Sequence, residues 1–135
     1  MKPVLLDTDI LSSFLRGDAR VVARAKAYVE EHGSLSLSVI TYYEMCNGLL
    51  YKDARKQMER FESFIDLNQV LPLTLEAAKR AASIQADLRK KGAVIGHTDT
   101  LIAGIALTNG LHLATNNTAH FKRIKGLELD NWLMR

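Results

Sequence analysis

Four short stretches of this chain each set an acid or an amide beside an apolar run. They are Val4-Leu5-Leu6-Asp7-Thr8-Asp9, Tyr42-Tyr43-Glu44-Met45, Gly96-His97-Thr98-Asp99-Thr100-Leu101-Ile102-Ala103 and Leu113-Ala114-Thr115-Asn116-Asn117. Apolar runs fold into a core, so the polar groups at their ends are held in place rather than left moving in solvent. Carboxylates gathered at one place repel, and a divalent cation relieves that repulsion. Oxygen donors of this hard kind select Mg²⁺ or Mn²⁺ over zinc. Phosphoryl-ester chemistry is therefore the first hypothesis.

The elements that carry these groups follow from periodicity. Val4-Leu5-Leu6 is a continuous apolar run, as in a central strand buried on both faces. Asp7 or Thr8 caps a helix carrying Ile10, Leu11, Phe14 and Leu15, and Arg16-Gly17-Asp18 ends it. A second helix is predicted from Ala19 to Glu31, a strand from Ser34 to Val39, and a helix from Thr41 through Glu44 to Leu50. Another helix spans Asp53 to Asp66, followed by a short strand at Val70 to Leu73. A long helix runs from Thr74 to Lys91, and the next opens at His97 or Thr98 and ends at Asn109-Gly110. Leu111 to Thr115 reads as a strand and Leu127 to Leu129 as a short final one. Strands alternating with helices call for an α/β fold, a three-layer α/β/α sandwich with a mostly parallel central sheet, and residues 1–135 are expected to form a single domain.

In such sheets, sites lie beyond the carboxyl ends of the strands. Asp7, Glu44 and Asn116-Asn117 share that edge by topology. Asp99 joins them if its helix starts there, which a regularly wound right-handed sheet provides. Each residue also has a plainer use. Asp7 can simply cap a helix, Asp99 can complement a helix dipole, and Asn116-Asn117 can be only a turn. The joint pattern carries the argument, not any single residue.

Composition narrows the rest. A chain of 135 residues can bury a core of its own, and a net charge of +3 permits a nucleic-acid partner without demanding one. Cys46 is the single cysteine, which excludes an internal disulfide and a cysteine-built zinc site; a small apolar packing role is expected for it. Only a brief apolar run separates Lys2 from Asp7, unlike a signal peptide, and no segment has the apolar length of a membrane span. A cytoplasmic location and no membrane partner are expected.

Taken in order and at their spacing, the four motifs resemble the PIN-domain family, and within it the VapC-type toxins of toxin–antitoxin pairs. Val4 to Thr8 is similar to the family's opening strand and first acid, and Ser38 to Glu44 to the segment of the second. Gly96 to Ala103 is similar to the third-acid segment, and Leu113 to Asn117 with Phe121 to the fourth motif. Asp9 stands where many relatives have Asn, and Asn117 where other PIN domains often place Asp. The resemblance implies a Mg²⁺- or Mn²⁺-dependent endoribonuclease, cutting RNA such as tRNA or rRNA, and a cognate VapB-type antitoxin; a homodimer is also expected. Asp7, Glu44 and Asp99 would hold the metal, with Asn117 at its edge. Thr8 and Thr115 would orient water or a phosphate oxygen, and Arg16 and Asn116 would contact substrate.

Other features are weighed against plainer readings. Most basic clusters are solvated surface, with Arg16 the best candidate for RNA phosphate. Tyr42 and Tyr43 could stack on a base or pack in the core. His97 is assigned a structural or supporting role. The helices between Thr41 and Asp66 carry Leu49, Leu50, Tyr51, Phe61 and Phe64, more than one face hides, which suggests an antitoxin groove with roughly half of these residues in the core. The alternatives are a haloacid-dehalogenase-like phosphatase with Asp7 as nucleophile, or a non-catalytic interaction protein. Leu11 and the lack of an acidic neighbour at Asp99 weigh against the phosphatase, and the intact acids against the interaction protein.

Overall fold

A computed structural model describes residues 1–134. The strands are β1 (Val4–Leu6), β2 (Ser36–Ser38), β3 (Gln69–Leu71), β4 (His112–Ala114) and β5 (Leu129–Asp130). The helices are α1 (Thr8–Leu15), α2 (Ala19–His32), α3 (Val39–Tyr51), α4 (Arg55–Leu67), α5 (Leu75–Lys90), α6 (His97–Thr108) and α7 (Thr118–Phe121). The strands form one sheet in the order β3-β2-β1-β4-β5, and every pairing is parallel. The expected "mostly parallel" sheet is thus parallel throughout.

Side chains alternate across β1. Val4 and Leu6 enter a core shared with Ile10, Leu11, Val21, Tyr28, Phe61 and Trp132, so α1, α2 and α4 cover that face. Leu5 enters the opposite core with Ala77, Ile102, Ile105, Leu113 and Phe121, so α5, α6 and α7 cover the other. This is the three-layer sandwich that continuous apolar strands require. Among the described residues, no helix is long and apolar enough to cross a membrane.

Helix starts follow local chemistry. Asp18 accepts from the Arg20 and Val21 amides, Ser38 from Thr41 and Thr74 from Ala77, each satisfying amides that an open first turn leaves unpaired. The Ser38 cap corrects one expectation. Val39 does not end the strand but opens α3, two residues before Thr41. The last strand also lies later than expected, at Leu129–Asp130, while Leu127 packs into the core. Helix α7 was not foreseen.

Helices α5 and α6 pack unusually close, at a seam of small residues. A Cβ on Gly104 would lie 2.5 Å from the Ala77 carbonyl oxygen and 3.1 Å from the Ala81 Cβ. Both atoms sit on or next to backbone and cannot swing aside. Alanine favours a helix interior over glycine by roughly 1 kcal/mol, but overpacking here outweighs that. Gly104→Ala is expected to lower stability by about 1–3 kcal/mol in urea titrations. An equal or raised stability would mean that the two helices separate freely.

Candidate active site

The sheet order reverses between β1 and β4, since the chain builds outward from β1 first toward β3 and later toward β5. A crevice opens at such a switch point, beyond the strand ends. Asp7 leaves β1 there and Thr115 leaves β4. The Asp7 amide donates to the Ala114 carbonyl at 2.9 Å, so the two ends are pinned side by side.

Asp7 caps α1 and is only 6% exposed. Its Oδ1 accepts from the Thr8 amide at 2.8 Å and its Oδ2 from the Thr115 hydroxyl at 2.7 Å. The Thr115 Oγ1 also accepts from the Asn117 amide at 3.0 Å, which fixes that hydroxyl's direction. Burial pushes the Asp7 carboxyl up to about 7, and the charges of Asp9 and Asp99 push the same way against the two hydrogen bonds.

Glu44 projects from α3 toward the same edge. The Thr8 hydroxyl donates to its Oε1 at 2.6 Å, and the same Thr8 oxygen lies 3.1 Å from the Thr41 hydroxyl. Asp99 sits in the first turn of α6. A helix leading into a parallel strand runs back across the sheet, so its first turn lies at the carboxyl edge. Burial raises the Asp99 carboxyl, and the Glu44 charge raises it further. The first turn of α6 thus stands at the edge where the sequence led one to look for it, with His120 of α7 beside Asp99.

Asp9 is built in more firmly than its sequence position indicated. Its Oδ2 accepts from the Asn116 amide at 2.9 Å and its Oδ1 from Ile10 at 2.7 Å. It therefore ties the turn after β1 to the turn after β4, and burial raises its carboxyl too. The Asn116 side chain accepts from Asn131 at 3.0 Å. Asn117 Nδ2 lies 3.1 Å from His120 Nδ1, and that imidazole nitrogen lies 3.9 Å from Asp99 Oδ2. Sequence reasoning missed His120. The available signal was its i+3 spacing from Asn117, which places the two side by side only if a helical turn forms there.

Arg16 borders the site from the end of α1, where its guanidinium donates to Ser13 Oγ at 3.2 Å. Other candidates fall elsewhere. Tyr42 stacks on Phe61 and donates to Glu62 at 2.9 Å, so it packs rather than offering a free face, whereas Tyr43 is exposed. His97 lines a shallow groove between α5 and α6. Cys46 is half-buried against the core. Phe61 and Phe64 are core residues, while Leu50 and Tyr51 are 68% and 90% exposed.

The PIN domain profile matches residues 4–127. The chain belongs to the PIN-domain family, in its VapC-type branch. It is 31% identical to the tRNA(fMet)-specific endonuclease VapC of Shigella flexneri, over 98% of this chain and 99% of the relative. A chain in the crystal structure of DNA-bound VapBC from Salmonella typhimurium superposes with a TM-score of 0.89 at 29% identity, covering 98% of this chain and 99% of that one. A chain of FitAcB from Neisseria gonorrhoeae does so with a TM-score of 0.85 at 29% identity, covering 98% and 99%. PIN-domain ribonucleases are in general divalent-metal-dependent enzymes.

Each Asp7 carboxylate oxygen accepts one hydrogen bond, from Thr8 and from Thr115, which fixes the group's orientation and leaves a lone pair on each oxygen free toward the crevice.

The raised Asp7 carboxyl makes stability depend on pH. The folded chain holds this proton more tightly than the unfolded chain, where the group titrates near 3.8. The stability Asp7 contributes is therefore full below its unfolded value and is lost as pH rises through about 7. Without added metal and with EDTA present, the chain should lose up to roughly 4 kcal/mol between about pH 4 and pH 8 from this group. Asp7→Asn should flatten that fall and be the more stable protein above neutrality. An equal fall in unfolding free energy from about pH 4 to pH 8 in the two proteins would show that Asp7 carries no such strain.

Proposed function

We propose that this chain is a divalent-metal-dependent endoribonuclease and the toxin of a VapBC-type toxin–antitoxin pair. The observation that carries the reading is the buried Asp7 at the switch point, its carboxyl raised first by burial and then by the charge of Asp9 and, least, of Asp99, with Thr8 drawing Glu44 to the same edge. Nothing in the fold requires this repulsion, and a cation turns it into binding.

The donor set fits Mg²⁺ or Mn²⁺. It is made of oxygens, and Asp7 is oriented by two hydrogen bonds. Among the described residues, no three His, Cys, Asp or Glu side chains come together as a cage for one ion. Mg²⁺ does not need one, since it keeps several waters and is held by one or two carboxylates together with substrate phosphate. Asp7 and Asp99, with Glu44, are the residues that would hold it. Bound there, the ion supplies a water of lowered pKa and charge neutralisation at the phosphate.

The chain's own groups do the rest. Thr115 keeps Asp7 turned toward the crevice, and Thr8 keeps Glu44 toward it. Asn117 is held next to His120, which in turn lies beside Asp99, so it stands at the edge of the proposed metal site. Asn116 presents the turn that Asp9 fixes. The substrate is RNA, with tRNA or rRNA the class we favour; the Shigella relative is named for tRNA(fMet). The cognate partner is a VapB-type antitoxin. Exposed Tyr43, Leu50, Tyr51 and Leu75 are apolar surface for that partner or for a second copy of the chain.

Purified protein should cleave an RNA pool with Mg²⁺ or Mn²⁺ and stop with EDTA. Asp7→Asn and Asp99→Asn should each lower cleavage by about 100-fold or more, with Mn²⁺ binding by calorimetry weakened in parallel. Small phosphomonoesters should be poor substrates. A phosphorylated Asp7 trapped during turnover would overturn the reading in favour of a phosphatase.

A further inference from the structure

One groove on the surface leads away from the acids. It encloses about 590 Å³ between α1, α3 and α4. Thr8 and Glu44 stand at its inner end. Leu15, Met45 and Leu49 give it an apolar lining, and Arg16, Lys52, Gln57 and Arg60 give it a polar one. Three cations thus border a groove that reaches one acid of the site, Glu44, which Thr8 of α1 engages.

Two facts separate these cations from ordinary solvated surface. None of Arg16, Lys52 and Arg60 is in an ion pair among the described residues, where Arg20 and its neighbour Asp18 do pair. They also come from three different elements, the end of α1, the end of α3 and the middle of α4, so no single helix pattern accounts for their meeting. The single carboxylate in the lining is Glu44, which the Thr8 hydroxyl already engages. The groove therefore carries three cations against one carboxylate, and that carboxylate belongs to the acidic edge.

We propose that this groove carries the single-stranded part of the RNA substrate to the acids, with Lys52 and Arg60 holding backbone phosphates beyond Arg16. The inference rests on the ribonuclease reading and extends it to residues outside the four motifs. The charge order suits the task. A phosphodiester strand entering an acidic centre is repelled by it, and flanking cations offset that repulsion before any chemistry begins. Leu15, Met45 and Leu49 give base faces an apolar surface, and Gln57 gives an edge donor and acceptor. A mainly phosphate-reading tract of this kind supplies affinity without sequence choice.

The test is the salt dependence of RNA binding. An oligouridylate is titrated, by fluorescence anisotropy, into the Asp7→Asn protein, in which cleavage is blocked. Each phosphate neutralised on a single strand adds about 0.7 to the slope of log affinity against log salt. Adding Lys52→Ala and Arg60→Ala should lower the slope by about 1.4 and weaken binding roughly tenfold at low salt. Both side chains are exposed, so the fold is not at risk. Arg60→Lys should keep the slope. Lys79→Ala, exposed on α5 across the sheet, should leave it unchanged. An unchanged slope in the double variant overturns the proposal. So does equal binding by polyglutamate of matched charge, which would make the groove a site for an acidic peptide. Failure of the ribonuclease reading would show differently, as no metal-dependent cleavage by the unsubstituted chain.

Discussion

The parallel pairing of β1 with β4, Leu6 against Ala114, is the contact on which the site depends. It places the residue after each strand side by side, so that the Thr115 hydroxyl reaches Asp7 and the Asp9 carboxylate reaches the Asn116 amide. A one-residue slip would exchange Leu5 with its neighbours across the sheet. It would push Val4 and Leu6 out of the α1–α2 core and carry Asp7 away from the edge. The two apolar cores, one on each face of β1, make that slip costly. Hydrophobic packing thus sets the positions of carboxylates that electrostatics alone would scatter.

Charge and packing oppose each other here, and packing wins. Asp7 is buried with a neighbouring acid on its own helix and another on α6, an arrangement that weakens the fold at neutral pH. It is tolerated because hydroxyl and amide donors surround the carboxylates: Thr8, Thr115, and the backbone of Ile10 and Asn116. These donors reduce the penalty without cancelling it. The residual repulsion is the feature on which the proposed cation site rests.

The strand–helix order, and the placement of acids beside the ends of those elements, were legible because they are local. A continuous Val4-Leu5-Leu6 run, an Asp at its end and a Gly after α5 each state their role within a few residues. The start of α3 was harder, since Ser38 serves both as the last strand residue and as the cap, and periodicity alone extended the strand to Val39. Helix α7 is a single turn, too short for any pattern to register, and His120 went unseen with it. Phe61 and Phe64 looked like surplus surface beside Leu50 and Tyr51, but the first pair lies under α1 and α3 and the second pair at the exposed end of α3. Burial depends on which elements meet, and that is decided by the sheet order. The joining of Lys52 and Arg60 with Arg16 was hidden for the same reason.

The two halves of the site lie far apart along the chain. Thr8 meets Glu44 across 36 residues, but Thr115 meets Asp7 across 108. Contacts of such long range form late, after shorter loops have closed. On the ribosome, β1, β2 and β3 can pair while the β4 segment is still being made. Asp7 then lacks its Thr115 partner, and Asp99 has no sheet edge to border. The acidic edge of such a nascent chain is incomplete for most of its synthesis. The completed edge appears only when the last quarter of the sequence has emerged, so the groups that meet there are brought together at the very end of synthesis.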